Sequence, residues 1–358
     1  MKTADDFRPE ELKWLIDDWF PLGHRGMDTA PEGSFKTMNG LYIAVCVASG
    51  NNYFGHEVTQ GPVLLIDEET PEASVNNHLV RFSKGFGLKL EDLPIYRLHM
   101  TGFRFGRKEQ LKKILKWVET IKPVFIRMDS MLAMLPTGRE GIGENDSHIG
   151  ETIRDDLIAI LKTAGPNSCS ILLSAHAKKS LGPSSIQDLM DYDMSMIVRG
   201  HGSIVGEGCD TGYIIKRISE RDPTRYCIMV RPRRQAIPSG KPMLIEMKEE
   251  KYGKGWARLV EIDQRKLPPS KSAMALFPLF IVKDRHGYYE SYKEDKIIRT
   301  CALINRNECR EGLIELWNRR VIVQGDHVRS YVLNPLLENE VDPEYLAILR
   351  NASGKLYL

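Results

Sequence analysis

The chain has 358 residues, 42% of them hydrophobic and 27% charged, with a formal net charge of +2; this suits an ordinary soluble globular protein with one large core and a small second domain. The near-neutral balance excludes a surface that is basic throughout, so any polyanion-binding face has to be local. No apolar run reaches membrane-spanning length, and the charged start MKTADDFRPEELKW lacks the apolar stretch of a secretory signal, so a cytoplasmic location is expected with no membrane partner.

Residues 1–24 read as a lead-in: a short capped helix from Pro9 to Phe20, then a turn at Pro21-Leu22-Gly23. β-rich runs follow at Arg25–Thr29, Val63–Ile66, Ile95–His99, Val124–Asp129, Ser170–His176, Thr211–Ile218, Tyr226–Arg231 and Met243–Met247. Helical patterns separate the first five: Lys36–Ser49, Pro71–Gly85, Lys108–Ile121 and Ser147–Ala164. Apolar strands alternating with helices predict an α/β domain, residues 25–264, with a mostly parallel sheet covered on both faces. The later strands lack intervening helices, which predicts an antiparallel extension at one edge.

Arg265–Ser272 (RKLPPSKS) reads as a linker. Within the remaining 273–358, Tyr292–Ile304 and Asn307–Arg320 read as helices, and Val321–Gln324, Gly325-Asp326 and Val328–Leu333 as a hairpin, the outline of a winged helix. On a helical wheel Cys309, Leu313, Leu316 and Trp317 form the apolar stripe of Asn307–Arg320, opposite an outer face carrying Glu308, Glu311 and Glu315. Arg306, Arg310, Arg319 and Arg320 flank that face, and His327 and Arg329 lie on the wing. An acidic face is poor for meeting phosphates; DNA contact, partner binding and packing between subunits all remain open for this unit. The six cysteines, Cys46, Cys169, Cys209, Cys227, Cys301 and Cys309, show no C-x-x-C pair and no zinc-like cluster, and are expected to be reduced, mostly buried thiols.

The segment Ala30-Pro31-Glu32-Gly33-Ser34-Phe35-Lys36-Thr37 joins the first strand to the first long helix. A phosphate-binding loop needs inward backbone N–H groups, a Lys to reach the β/γ-phosphates and a hydroxyl for Mg²⁺. Pro31, Glu32, Gly33, Ser34 and Phe35 would supply the cradle, Lys36 the ammonium and Thr37 the hydroxyl. Two glycines of the usual pattern are replaced, by Ala30 and Phe35. Phe35 is compatible if its backbone is helical and its ring turns away from the phosphates.

Carboxylates at the ends of parallel strands lie where such sheets bind ligands. Val63–Ile66 runs into Asp67-Glu68-Glu69; Glu69 is the expected base for the attacking water, with Glu68 the runner-up. Val124–Asp129 ends in Asp129, an expected Mg²⁺ ligand of Walker B type, while Arg127 is unusual in a buried strand and would need a nearby acid. Ser170–His176 ends in His176, placed to sense the γ-phosphate. Arg231-Pro232-Arg233 is either a basic turn or a pair that stabilises transition-state charge.

Together these segments resemble the RepA-like branch of the RecA/DnaB hexameric helicase superfamily over roughly residues 10–260. The likeness lies in Trp14-Leu15-Ile16 before Pro21-Leu22-Gly23, in Val47-Ala48-Ser49-Gly50 and Gly61–Glu69, and in Asp129-Ser130-Met131-Leu132 before Glu144-Asn145-Asp146. It continues in His176 with Lys178-Lys179, in Arg199-Gly200-His201-Gly202-Ser203 and in Arg231-Pro232-Arg233. The resemblance implies a RecA-like P-loop ATPase using ATP and Mg²⁺. It implies six-membered homo-oligomeric rings threaded by a nucleic-acid strand, with Arg231 or Arg233 completing a neighbour's site. The central loops would be Thr137–Asn145 and Ala177–Gly202. Lys178, Lys179 and Ser180 of the second would bind DNA, more readily single-stranded. The expected function is a replicative-type helicase or translocase of a plasmid, virus or mobile element. The alternative is a nucleotide-gated DNA-binding or partner-recruiting ATPase that does not unwind, with the C-terminal unit holding a protein partner. Asp28 in the first strand and Pro232 depart from the resemblance.

Overall fold

The computed structural model describes residues 12–31, 35–136, 148–165, 167–178, 194–199, 202–217, 226–230, 243–251, 254–261, 269, 271–281, 292–300, 306–324, 330–341 and 343–354. Chain contacts divide it into one unit up to residue 261, less 219–222, and a second formed by those four residues with 262–358.

In the first unit, β1 (Trp14–Ile16) and β2 (Phe20–Pro21) form a small antiparallel ribbon. The expected helix from Pro9 to Phe20 is therefore corrected over its described part. Leu15, Ile16, Trp19 and Phe20 are all buried. Asp18 turns the chain in the left-handed region, and the amide of Asp17 donates to the carbonyl of Glu57 at 2.9 Å. Burying apolar side chains on both sides of so short a segment is easier for a ribbon than for one stripe of a helix.

The main sheet contains β3 (Arg25–Ala30), β4 (Val63–Asp67), β5 (Ile95–His99), β6 (Phe125–Asp129), β7 (Ser170–His176), β8 (Thr211–Arg217), β9 (Tyr226–Val230), β10 (Met243–Lys251) and β11 (Lys254–Glu261). Their spatial order is β11-β10-β9-β8-β3-β7-β6-β4-β5. Strands β8 through β5 of that order run parallel, and β9, β10 and β11 form an antiparallel extension at one edge. The sheet thus has the expected parallel body and antiparallel flank. β10 runs longer than anticipated, and β11 (KGWARLVE), whose exposed positions are Lys254, Trp256, Arg258 and Glu261, had no strong apolar signal.

The helices are α1 (Lys36–Ser49), α2 (Glu72–Gly85), α3 (Lys108–Ile121), α4 (Met131–Met134), α5 (Ile149–Ala164), α6 (Met194–Ile197) and α7 (Ser203–Gly208). Alternate strand residues feed opposite faces, because successive side chains point to opposite sides of a strand. Leu65, Phe125, Leu172 and Tyr213 join one apolar cluster with α1 and α2. Leu64, Ile126, Leu173 and Ile214 join the other, with α3 and α5. Asn39 through Ala48 of α1 are buried without a break. A helix apolar all round is a core helix, and here it aims its N-terminus at the carboxyl end of the parallel strands.

The second unit comprises α8 (Lys271–Phe280), β12 (Tyr292–Lys293), α9 (Glu294–Thr300), α10 (Arg306–Asn318), β13 (Ile322–Gln324), β14 (Ser330–Leu333), α11 (Leu337–Glu340) and α12 (Pro343–Gly354). Its three-stranded sheet has the order β12-β14-β13. Tyr292 and Lys293, expected to open a helix, pair instead with Tyr331 and Ser330. The linker reading is corrected at its end, where Lys271 and Ser272 already belong to α8. Cys309, Leu313 and Leu316 are buried as the wheel predicts, but Trp317 is 41% exposed, its ring edge-on to Tyr331. The turn at Gly325-Asp326, with His327 and Arg329, lies outside the described residues.

Candidate functional site

The polar side chains of the parallel body gather at its carboxyl end, on the α1 face. Register places Asp28 beside Ser174 and Asp67 beside Asp129. All four are buried. Asp28 and Asp67 are pushed up from the ordinary carboxylate range, chiefly by burial.

Above this row, Phe35 caps α1 in the left-handed region, at φ 53° and ψ 5°. The expected right-handed helical backbone is corrected: Phe35 adopts the conformation that glycine would supply at no cost. Left-handed backbone costs a non-glycine residue about 1–2 kcal/mol. Burying a Phe ring returns about 1.5–3 kcal/mol, and this ring is 2% exposed within the core cluster under α1. The replaced glycine is thus accommodated by packing. Glu32, Gly33 and Ser34 lie outside the described residues. Pro31 is half-buried and follows Ala30, the last residue of β3.

Lys36 donates from Nζ to the carbonyl of Ala175 at 3.1 Å. Burial lowers its pKa, against the opposing pull of Asp28 and Asp129. The Thr37 hydroxyl donates to Asp129 Oδ2 at 2.9 Å. No cluster of three or more His, Cys, Asp or Glu able to hold a metal alone occurs among the described residues. Thr37 and Asp129 instead offer two hard oxygen donors, a set that suits Mg²⁺ completed by water and phosphate oxygens. Both line a small pocket, together with Asp67, Arg127 and apolar side chains of β4, α1 and α2.

The two candidate bases part company. Glu68 accepts from the amide and hydroxyl of Thr101 and from the amide of Gly102, at 2.9, 2.6 and 2.9 Å. Its carboxylate is occupied in holding the loop after β5. Glu69 is 45% exposed, with Oε2 3.3 Å from His176 Nε2. Hydrogen bonding to His176 chiefly, and to Ser130, pulls its pKa down to about 2 against the effect of burial. Asp67 fixes this turn by accepting from the amides of Glu69 and Thr70 at 3.0 and 2.7 Å.

After His176 the chain is pinned rather than loose. Ala177 bridges Val198, the amide of Lys178 donates to Ile197, and the amide of Arg199 donates back to the His176 carbonyl. Lys178 is exposed at this stem. Lys179, Ser180, Arg231 and Arg233 lie outside the described residues, as do Thr137–Asn145 and most of 177–202.

Arg127 and Asp28 are the pair that sequence reading left without a role. Arg127 NH1 lies 2.9 Å from Asp28 Oδ1 and NH2 lies 3.6 Å from Asp129 Oδ2. Each was visible as a charge in an apolar strand; only strand order shows that they face each other across β7. Gly40 carried no signal at all: a Cβ there would stand 2.5 Å from Arg127 Nε.

Among solved structures, the RadB recombinase is similar to the chain at 14% identity and a TM-score of 0.45, covering 68% of this chain and 92% of that one. A KaiC-like protein from Pyrococcus horikoshii OT3 is similar at 14% identity and a TM-score of 0.47, covering 71% and 100%. No curated protein matches. The family described as AAA domain matches residues 2–181, which include Lys36, Thr37, Glu69, Asp129 and His176. That match spans more than half of the 358 residues, and the chain belongs to the AAA domain family.

Proposed function

We propose that the chain hydrolyses ATP and uses it as a ring-forming DNA motor, of the replicative helicase or translocase kind. The observation that carries the hydrolase reading is the convergence of two pairs, Thr37 with Asp129 and Glu69 with His176, beside Lys36 at the start of α1.

In this reading the amides of Glu32 through Phe35 cradle the phosphates at the positive end of α1, with Pro31 setting the entry to the loop. Lys36 leaves the Ala175 carbonyl for the β/γ-phosphates. Thr37 and Asp129 hold Mg²⁺, which when bound neutralises charge on the phosphate oxygens. Glu69, ionised through the whole physiological range, accepts a proton from the attacking water. His176 orients that carboxylate and, by its place at the start of the 177–199 stem, relays the state of the γ-phosphate to the following loop. Arg231 or Arg233 would act on a neighbour's nucleotide. The ring, the DNA strand at its centre and Lys178, Lys179 and Ser180 as its contacts rest on the resemblance to the RepA-like branch. So does the domain plan of a 25–264 motor joined to a winged-helix-like unit at 273–358 that holds DNA or a protein.

The test is ATP hydrolysis by the purified chain with and without single-stranded DNA, beside Lys36→Ala. DNA-stimulated hydrolysis that the substitution removes supports the reading; hydrolysis surviving Lys36→Ala overturns it. A second reading, a nucleotide-gated binder that does not unwind, draws on Phe35 in place of a loop glycine. A forked duplex separates the two: a motor displaces the strand with ATP, whereas a binder changes only its affinity.

A further inference from the structure

A buried parallel strand ordinarily carries apolar side chains. Arg127 breaks that rule: its register partners are Leu65 on β4 and Leu172 on β7, and it is 2% exposed. Its guanidinium reaches three elements. It pairs with Asp28 on β3, approaches Asp129 on its own strand, and directs NH2 at the Lys36 carbonyl on α1 at 3.5 Å. Helix α1 admits it only because residue 40 has no side chain; a Cβ at Gly40 would lie 2.8 Å from the guanidinium carbon.

Stability does not explain this arrangement, because a buried ion pair is often matched or exceeded by apolar residues of similar volume. What the guanidinium supplies is direction. The Asp129 oxygen it approaches, Oδ2, is the same atom that accepts the Thr37 hydroxyl. One carboxylate oxygen is thereby held between a fixed cation behind it and the hydroxyl in front.

We propose that Arg127, held by Asp28 and admitted by Gly40, is a positioning residue that sets the Asp129 carboxylate against Thr37, so that a divalent cation arriving with nucleotide meets two oxygens already in place. The proposal rests on the nucleotide-hydrolase reading above. Arg127 touches neither nucleotide nor cation; it acts through Asp129. Partners of this kind typically change metal affinity by 10–100-fold when lost.

The experiment compares the full chain with two variants, Asp28→Leu/Arg127→Leu and Arg127→Lys. The double variant removes both members of the Asp28–Arg127 pair, so neither is left without the other in the core. Arg127→Lys keeps a cation for Asp28 but has no second nitrogen for Asp129. ADP affinity is measured by calorimetry without metal, and Mn²⁺ binding to the ADP complex by the electron paramagnetic resonance of free Mn²⁺. The expected result is a rise of about 10-fold or more in half-saturating Mn²⁺ in both variants, with metal-free ADP affinity and thermal midpoint close to those of the unmodified chain. A folded double variant with an unchanged Mn²⁺ titration overturns the proposal, as does a matching loss of metal-free ADP affinity. If the double variant fails to fold, Arg127→Lys decides alone: a raised Mn²⁺ requirement supports the proposal and an unchanged one overturns it. An unmodified chain that binds no Mn²⁺·ADP refutes the nucleotide reading itself, before any variant is compared.

Discussion

Strand β3 carries an ion pair at each end, and the two are built differently. At the amino end, Arg25 donates from Nε and NH2 to the two oxygens of Asp210 at 3.0 and 2.6 Å, and its amide adds a third bond at 3.0 Å. Solvent still reaches both side chains. At the carboxyl end, Asp28 and Arg127 are sealed in, joined by one contact and shared with Asp129. The first pair is the well-satisfied, bidentate arrangement expected of a structural tie between β3 and β8. The second is a buried charge arrangement with fewer bonds than its atoms can make, placed against the residues that would hold nucleotide and metal. Buried, under-satisfied charge persists where something besides stability is served.

This contrast can be broken or sharpened by substitution. The largest effect is expected for Arg127→Met alone, which strands Asp28 in the core and should cost about 3–5 kcal/mol in urea unfolding. A loss below about 1 kcal/mol would place the Asp28 end on the same footing as an exposed pair. Next comes Glu69→Gln, expected to slow ATP hydrolysis by about 100-fold or more while nucleotide binding persists. Glu68→Gln should act mainly on stability, since its oxygens hold Thr101 and Gly102. A reversal of these two phenotypes would move the base from Glu69 to Glu68.

Asp210→Asn is expected to cost about 2 kcal/mol at pH 7 and to leave kcat for hydrolysis unchanged, since it lies at the opposite end of β3. Burial opposes the Asp210 carboxylate, but hydrogen bonds from Arg25 outweigh it and hold the group below its ordinary range. Its contribution is therefore complete above the unfolded carboxylate pKa of about 3.9 and is lost as pH falls below that. The stability gap between the unmodified chain and the Asn variant should stay constant at neutral pH and narrow as pH falls below about 4. The smallest effect is local. Carboxyl ¹³C titration should show Glu69 protonating near pH 2, and His176→Ala should move that midpoint up toward the usual Glu range. An unmoved midpoint would remove His176 as the partner of Glu69.

Much of the fold was legible from periodicity. Apolar runs at Ser170–His176 and Ile95–His99 match β7 and β5 end for end, and helices α1 and α3 agree with their patterns throughout. In these segments one period runs without interruption between turn residues, so local pattern and tertiary role coincide. The pattern misleads where it fits two kinds of element or is weak. The ribbon at Trp14–Pro21 looked helical because apolar residues at 15, 16, 19 and 20 fit a helical stripe as well as a packed turn. Strand β11 escaped because Lys254, Arg258 and Glu261 interrupt its apolar residues, while the end of α2 covers it through contacts such as Arg258 over the Phe86 ring at 4.4 Å.

For the candidate site, the sequence by itself supplied the proposed inventory: Lys36 and Thr37 at a helix start, and Glu69, Asp129 and His176 at or just past strand ends. Those identities are local, because strand-end and helix-start chemistry is written in adjacent residues. Tertiary structure alone decided the pairings. Glu68 and Glu69 are neighbours in the chain, yet one is spent on Thr101 and Gly102 while the other faces His176. Asp28 and Arg127 each looked like an isolated misfit until strand order set β3 and β6 on either side of β7. A glycine one turn into α1 then left the space that lets the two charges meet. A charge tolerated in a core depends on what faces it across the sheet, and that neighbour lies about a hundred residues away in the chain.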